Sequence, residues 1–206
     1  KALEEVTIEG RIVDANESLN TFNGTIFPIV YDKEITRTTL GQESCTPMEY
    51  FDQSNILYKG SATVTNGQFS FSFVVPKDIA YNVGPRKISY YAVSDDEKPI
   101  DASGSDTNFL IGGTADDIVY DYDGANLELF MNTRQFVNGG ITSKDPVLIV
   151  DVEDFSGINT VGNGIGHDIV AVLDGATHLP FLLNEYYESD KDNYKKGSIS
   201  FQFNNL

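Results

Sequence analysis

The chain holds one cysteine, Cys45, and two histidines, His167 and His178. A thiol nucleophile needs a base within hydrogen-bond reach and amide donors for the oxyanion. The stretch Glu43-Ser44-Cys45-Thr46-Pro47 offers no strand-end setting for such a nucleophile, and both histidines fall in the other half of the chain. We read Cys45 as a plain loop or core thiol. His167-Asp168 reads as a structural pair, with one imidazole nitrogen bonded to loop backbone and Asp168 satisfying a nearby amide. A metal site needs more ligands than two histidines provide.

The acidic turns are the better metal candidates. Asp121 and Asp123 stand in the run Asp121-Tyr122-Asp123-Gly124, and Asp151, Glu153 and Asp154 close an apolar run. Carboxylates in turns are the hard oxygen donors that Ca²⁺ takes. Neither cluster carries the six or more donors of a complete calcium loop, so solvated turn carboxylates are the simpler reading. The two clusters are expected at one end of the second domain. Paired carboxylates also suit glycosidases, but nothing in the sequence defines a sugar pocket around them.

A third candidate is the glycine-rich loop, 157–166, with Gly157, Gly162, Gly164 and Gly166. A phosphate cradle needs a helix N-terminus directly after its glycines. Here His167-Asp168 leads into Ile169–Leu173, an apolar, β-branched run stopped by Asp174-Gly175. The loop is therefore structural: a tight, sterically constrained connection between this run and Val147–Val152, both read as core strands.

The stretch GINTVGNGIGHDIVAVLDG, preceded by DVEDFSGIN and followed by LLNEYYESD, resembles the region after the catalytic domain in PorU-type proteins. These are gingipain-like sortases of the bacterial type IX secretion system. The resemblance extends upstream through EGRIVDANESLNTFNGTIFPIVYDKEIT, NGQFSFSFVVPKDIAYNVG, KISYYAVS and IDASGSDTNFLIGG, and covers nearly the whole chain. It implies that the catalytic His–Cys pair lies in a caspase-like domain upstream, none of which is present. It also implies a place on the surface or outer membrane of a Bacteroidetes-type bacterium. There the full-length enzyme removes C-terminal secretion signals from cargo and helps attach the cargo to lipopolysaccharide.

Composition narrows the field further. A net charge of −17 over 206 residues disfavours nucleic-acid binding through phosphate neutralisation. No segment approaches the ~18 consecutive apolar residues of a membrane-spanning helix. A single cysteine allows no intrachain disulfide, and no charged-then-apolar leader opens the chain. The sequence reads as a piece cut from something longer.

The elements that must position these residues read as strands. Val6, Ile8 and Ile12 alternate with polar neighbours, and Gly24–Tyr31 gives a second strand that Pro28 marks as an edge or bulge. Thr36–Phe51 reads as a long excursion around Cys45. Asn66-Gly67 predicts a type I′ hairpin that pairs Val64 with Phe69 and puts Tyr58, Ala62, Phe71, Phe73 and Val75 on one face. Arg86–Ser94 and Asn108–Ile111 are further strands, and the acidic, glycine-broken run after residue 113 marks a boundary. Leu127, Leu129 and Met131 alternate in the next strand. Glu185–Lys196 reads as a short helix or ordered loop. Ile199, Phe201 and Phe203 form a last strand expected beside a vacant position, since no return strand follows it.

The expectation is all-β: two consecutive Ig-like β-sandwich domains, 1–115 and 116–206, the second truncated. No catalytic residue is assigned within this segment and no cofactor beyond the candidate Ca²⁺. With the resemblance, the function expected is a non-catalytic accessory region that positions the catalytic domain. Its partners would be cargo C-terminal signals or secretion-complex subunits. An independent adhesin or carbohydrate-binding module is the alternative, because architecture alone does not separate the two.

Overall fold

The computed structural model describes residues 1–14, 21–76, 84–113, 115, 123–159 and 168–206. It is all-β, built from curled sheets in a sandwich-type arrangement.

The first half centres on β1 (Glu5–Arg11), β2 (Gly24–Tyr31), β5 (Ile56–Lys59), β6 (Ala62–Thr65), β7 (Gln68–Val74), β9 (Lys87–Ser94) and β10 (Asp101–Asp106). They form one sheet in the order β1-β7-β6-β2-β9-β10, with β5 also on β2. The β6–β7 hairpin forms as the sequence predicts: Asn66 and Gly67 have φ of 51° and 74°, and Val64 pairs with Phe69. Tyr58, Ala62, Val64, Phe71, Phe73 and Val75 are all buried. Each large side chain among them contributes about 1.5–3 kcal/mol of apolar burial. The Tyr58 ring stacks on Phe71 and Phe73, with centroids 5.6 and 4.9 Å away.

Pro28 is neither at an edge nor at a bulge. Strand β2 is interior, paired along its whole length with β9 and on its other side with β6 and then β5. Pro28 accepts a hydrogen bond from Gly60 N–H, so its missing N–H faces the break between β5 and β6. No ladder bond is lost there, which is why an interior strand tolerates the ring. Beside it lies a buried ion pair: Arg86 Nε is 2.7 Å from Asp32 Oδ1, with the two side chains 0% and 8% exposed. Burial pulls the Arg86 guanidinium below its ordinary range and the Asp32 charge opposes that shift.

The Thr36–Phe51 excursion is more ordered than expected. It is a two-stranded ribbon, β3 (Ile35–Thr38) with β4 (Glu49–Asp52), capped by a one-turn 3-10 helix at Gln42–Ser44. Strand β10 has no apolar pattern because the residues on its inward face are Ala102, Gly104 and Asp106. Asn108–Ile111 shortens to β11 (Leu110–Ile111), paired with β8 (Gly84–Pro85).

The second half is a four-stranded sheet in the order β12 (Asn126–Met131), β13 (Val147–Glu153), β17 (Asn193–Gln202), β16 (Tyr187–Asp190). A two-stranded layer, β14 (Val170–Ala171) with β15 (Phe181–Leu182), lies apart from this ladder, and Ile169, Ala171 and Phe181 pack on the sheet's buried residues. Three expectations change here. The Ile169–Leu173 run is not a strand of the main sheet; only its middle is extended, and Val170 and Val172 stay 47% and 43% exposed. Glu185 and Tyr186 lie in a one-turn 3-10 helix (Asn184–Tyr186), and Tyr187–Lys196 is a hairpin turned at Lys191-Asp192, its arms anchored by buried Tyr187 and partly buried Tyr194. The last strand is interior only as far as Ile199, which pairs with Val150 on one side and with Tyr187 on the other. From Ser200 to Gln202 it pairs with β13 alone among the described residues, so the expected open edge remains at that end.

The two apolar clusters meet through that hairpin. Tyr194, on β17, packs against the first cluster. Asp192 at the turn accepts from Thr63 N–H (2.7 Å) and Thr63 Oγ1–H (2.6 Å), and its own N–H donates to Ser61 O. Strand β6 pairs with β7 only at Val64 and Thr65, so the carboxylate takes the donors that β7 leaves unpaired at Thr63.

Candidate binding surface

Cys45 is exposed on the loop that closes the β3–β4 ribbon. His178 is exposed between β14 and β15, and no hydrogen bond joins the two among the described residues. His167 lies outside the described residues, as do Gly162, Gly164 and Gly166.

Gly157 is described, and its role is steric. Its φ is +89°, and a Cβ there would lie 2.8 Å from the Tyr194 ring. Asp168 is exposed. The amide that enters the following strand, Ile169 N–H, donates instead to Asn184 Oδ1 at 3.0 Å. Asn184, unmarked in sequence, takes the supporting role expected of Asp168.

The acidic residues go separate ways. Asp151 lies on the outer face of β13 and accepts two hydrogen bonds from Arg134, at 2.7 and 2.6 Å. Those bonds hold its carboxyl below the usual range. Glu153 pairs with Lys196 at 2.9 Å, which raises the lysine above its ordinary value. Asp154 accepts from Ser156 N–H in its own turn. Asp123, Glu153 and Asp154 do line one shallow cleft, while Asp121 lies outside the described residues. Among the described residues no group of three or more acids, cysteines or histidines is placed to hold a metal ion. Ca²⁺ there stays a proposal that the described residues do not carry.

The structure instead draws attention to the inner face of the second sheet. The register puts Leu127 opposite Val152, Leu129 opposite Val150 and Met131 opposite Leu148, all facing one side. On β13 these positions are buried at about one-twentieth exposure, whereas Leu127 and Leu129 on β12 are 57% and 62% exposed. Ile169, Ala171 and Phe181 of the short second layer pack on the sheet's buried residues, and on β12 only Met131 joins them, while Leu127 and Leu129 do not. The result is an apolar groove of about 790 Å³ between β12 and β14, with Asp154 and Asp168 also on its lining. Leu127 and Leu129 were legible as an alternating strand, but their exposure follows only from what fails to cover them.

A smaller cleft of about 200 Å³ runs between the two halves, past Tyr58, Gly157, Tyr187 and Tyr194. Burial pushes the Tyr187 phenol well up, and its hydroxyl has no hydrogen-bond partner among the described residues.

No protein-family model and no curated protein matches the chain. Among solved structures the chain is similar to dimeric latent PorU from Porphyromonas gingivalis, at 30% identity and a TM-score of 0.58 over 100% of this chain. The chain resembles one stretch of PorU. It spans 19% of that PorU chain, so the likeness supports a PorU-like relationship and an accessory region, and leaves the activity of the whole protein open. No helix is long and apolar enough to cross a membrane among the described residues.

Proposed function

We propose that this chain is a non-catalytic accessory region of a PorU-like surface sortase. It comprises two units, 1–115 and 116–206, that position the catalytic domain and contact cargo signals or secretion-complex subunits. The observation that supports this reading is the PorU likeness along the whole chain at 30% identity. The exposed Cys45 on a peripheral ribbon fits it, since a catalytic thiol needs a base and oxyanion donors around it. Assembly at the outer membrane, outside the cell, is part of the same proposal, and the likeness to PorU is what supports it.

The test uses the purified chain with cargo-like peptides and with the catalytic region of its own polypeptide. The chain alone should cleave and transfer nothing, and should form a complex with the catalytic region in sedimentation velocity. Cleavage by the chain that disappears in Cys45→Ala would overturn the proposal.

One observation favours the carbohydrate-binding alternative. Phe27 and Tyr91 stack 6.4 Å apart on the outer face of the first sheet, and both are close to half exposed. Glycan binding lost in Tyr91→Ala would move the function to that platform.

A further inference from the structure

We infer that the groove between β12 and β14 is a strand-acceptor site, taking one extended segment of a separate polypeptide. That segment carries aliphatic residues at alternate positions and lysine or arginine between them. The inference goes beyond the accessory-region reading and rests on this chain's own geometry rather than on the likeness to PorU.

Three observations carry it. First, β12 ends its sheet among the described residues, where it pairs only with β13 and no ladder is formed on its other edge. Such an edge is a template for strand addition. Second, the inward residues of that edge, Leu127 and Leu129, are more than half exposed although their cross-strand neighbours Val152 and Val150 are core. An added strand with apolar residues at every second position would set them beside Leu127 and Leu129 at the open side of the groove, which Val170 and Val172 also line.

Third, charge selects the occupant. Glu128 projects to the outer face between the two leucines, the same face that the basic residues of an added strand would take. The whole chain carries a net charge of −17. A second copy pairing antiparallel through β12 in the register centred on Glu128 would bring that residue toward its own equivalent, and like charges across a strand pair are destabilising. A basic residue opposite Glu128 is stabilising by the same rule. The occupant is therefore an apolar–basic alternating strand and not another copy of this chain.

The test measures fluorescence anisotropy of the full chain with a labelled peptide of about seven residues, a common strand length, alternating lysine with valine or leucine. At about 0.15 M salt, where long-range attraction is largely screened, this peptide should bind roughly tenfold or more tighter than its controls. The controls are a shuffled peptide of the same composition, a glutamate-for-lysine version and a backbone N-methylated version. Leu129→Asp should lose roughly tenfold or more in affinity while keeping the parent circular dichroism spectrum. Leu127→Ser serves the same purpose if that variant misfolds. Hydrogen exchange should slow at the β12 amides when the peptide binds. Equal binding of the shuffled or N-methylated peptides overturns the inference, since neither depends on strand pairing. So does protection of β12 by concentration-dependent dimerisation of the chain alone, which would make a second copy the occupant.

Discussion

Gly157 shows how a single residue ties two elements together. At φ of +89° an L side chain is strained, and the Tyr194 ring occupies the space a Cβ would need. Gly157→Ala should lower stability by about 1–2 kcal/mol from the backbone alone, read as a lower urea midpoint at unchanged slope. An unchanged midpoint would show that the loop relaxes freely around the ring. Arg86 and Asp32 make the opposite case, in which charge rather than shape fixes the site. Their pair is almost fully buried at 2.7 Å. Asp32→Ala strands the guanidinium and should cost about 3–5 kcal/mol, whereas replacing both residues with apolar ones of similar volume should recover most of that loss. If the single and double variants melt together, the pair contributes no more than its bulk.

The β16–β17 hairpin belongs to the second sheet by pairing and to the first cluster by packing. Its turn residue Asp192 holds Thr63 through two hydrogen bonds, and Lys191 reaches Thr25 Oγ1 at 2.9 Å. These contacts are exposed, so Asp192→Ala should cost only about 1 kcal/mol. Its larger effect should be local: faster hydrogen exchange at Thr63 and earlier proteolysis near the turn. Unchanged exchange at Thr63 would mean that the other contacts, Tyr194 packing and the Lys191–Thr25 and Asp192 N–H to Ser61 O hydrogen bonds, dock the hairpin without the carboxylate. The same comparison tests the two-unit proposal, since units with separate cores should keep their individual melting transitions when the contact is weakened.

For the molecule as a whole, tyrosines set an upper pH limit. Burial pushes Tyr90 up to about 12, with Asp106 adding to the shift. Burial also raises Tyr194 to about 12, with Glu5 contributing, and moves Tyr58 in the same direction. A phenol whose folded pKa exceeds its unfolded value of about 10 stabilises the fold fully below that value. That stability is lost as pH rises through the window from 10 to about 12. Thermal melts should hold steady between pH 7 and about 9.5, then fall steeply, with phenolate absorbance rising together with unfolding. Solvent-exposed phenols ionise near pH 10 in either case, so the decisive comparison is with Tyr90→Phe and Tyr194→Phe. Loss of an absorbance step near pH 10 in those variants, at unchanged melting temperature, would place these two rings in solvent.

Local patterning determined much of this protein. The Asn66-Gly67 turn, the aromatic face of β7 and the short apolar, β-branched run Val147–Val152 are carried by neighbours in sequence, because turn type and strand preference need only local backbone geometry. Partner choice was not legible in the same way. Pro28 looked like an edge because its missing N–H is local, while the gap that accommodates it is made by β5 and β6. Strand β10 stayed hidden because its inward Ala102 and Gly104 carry no apolar bulk, and Tyr187–Lys196 needed β13 before it read as a hairpin. The candidate surface depends most on the assembled chain. Leu127 and Leu129 have the same sequence signature as any buried pair, and only the short β14–β15 layer decides that they face an open groove. Burial is a property of what lies across from a residue, and that is set by tertiary structure.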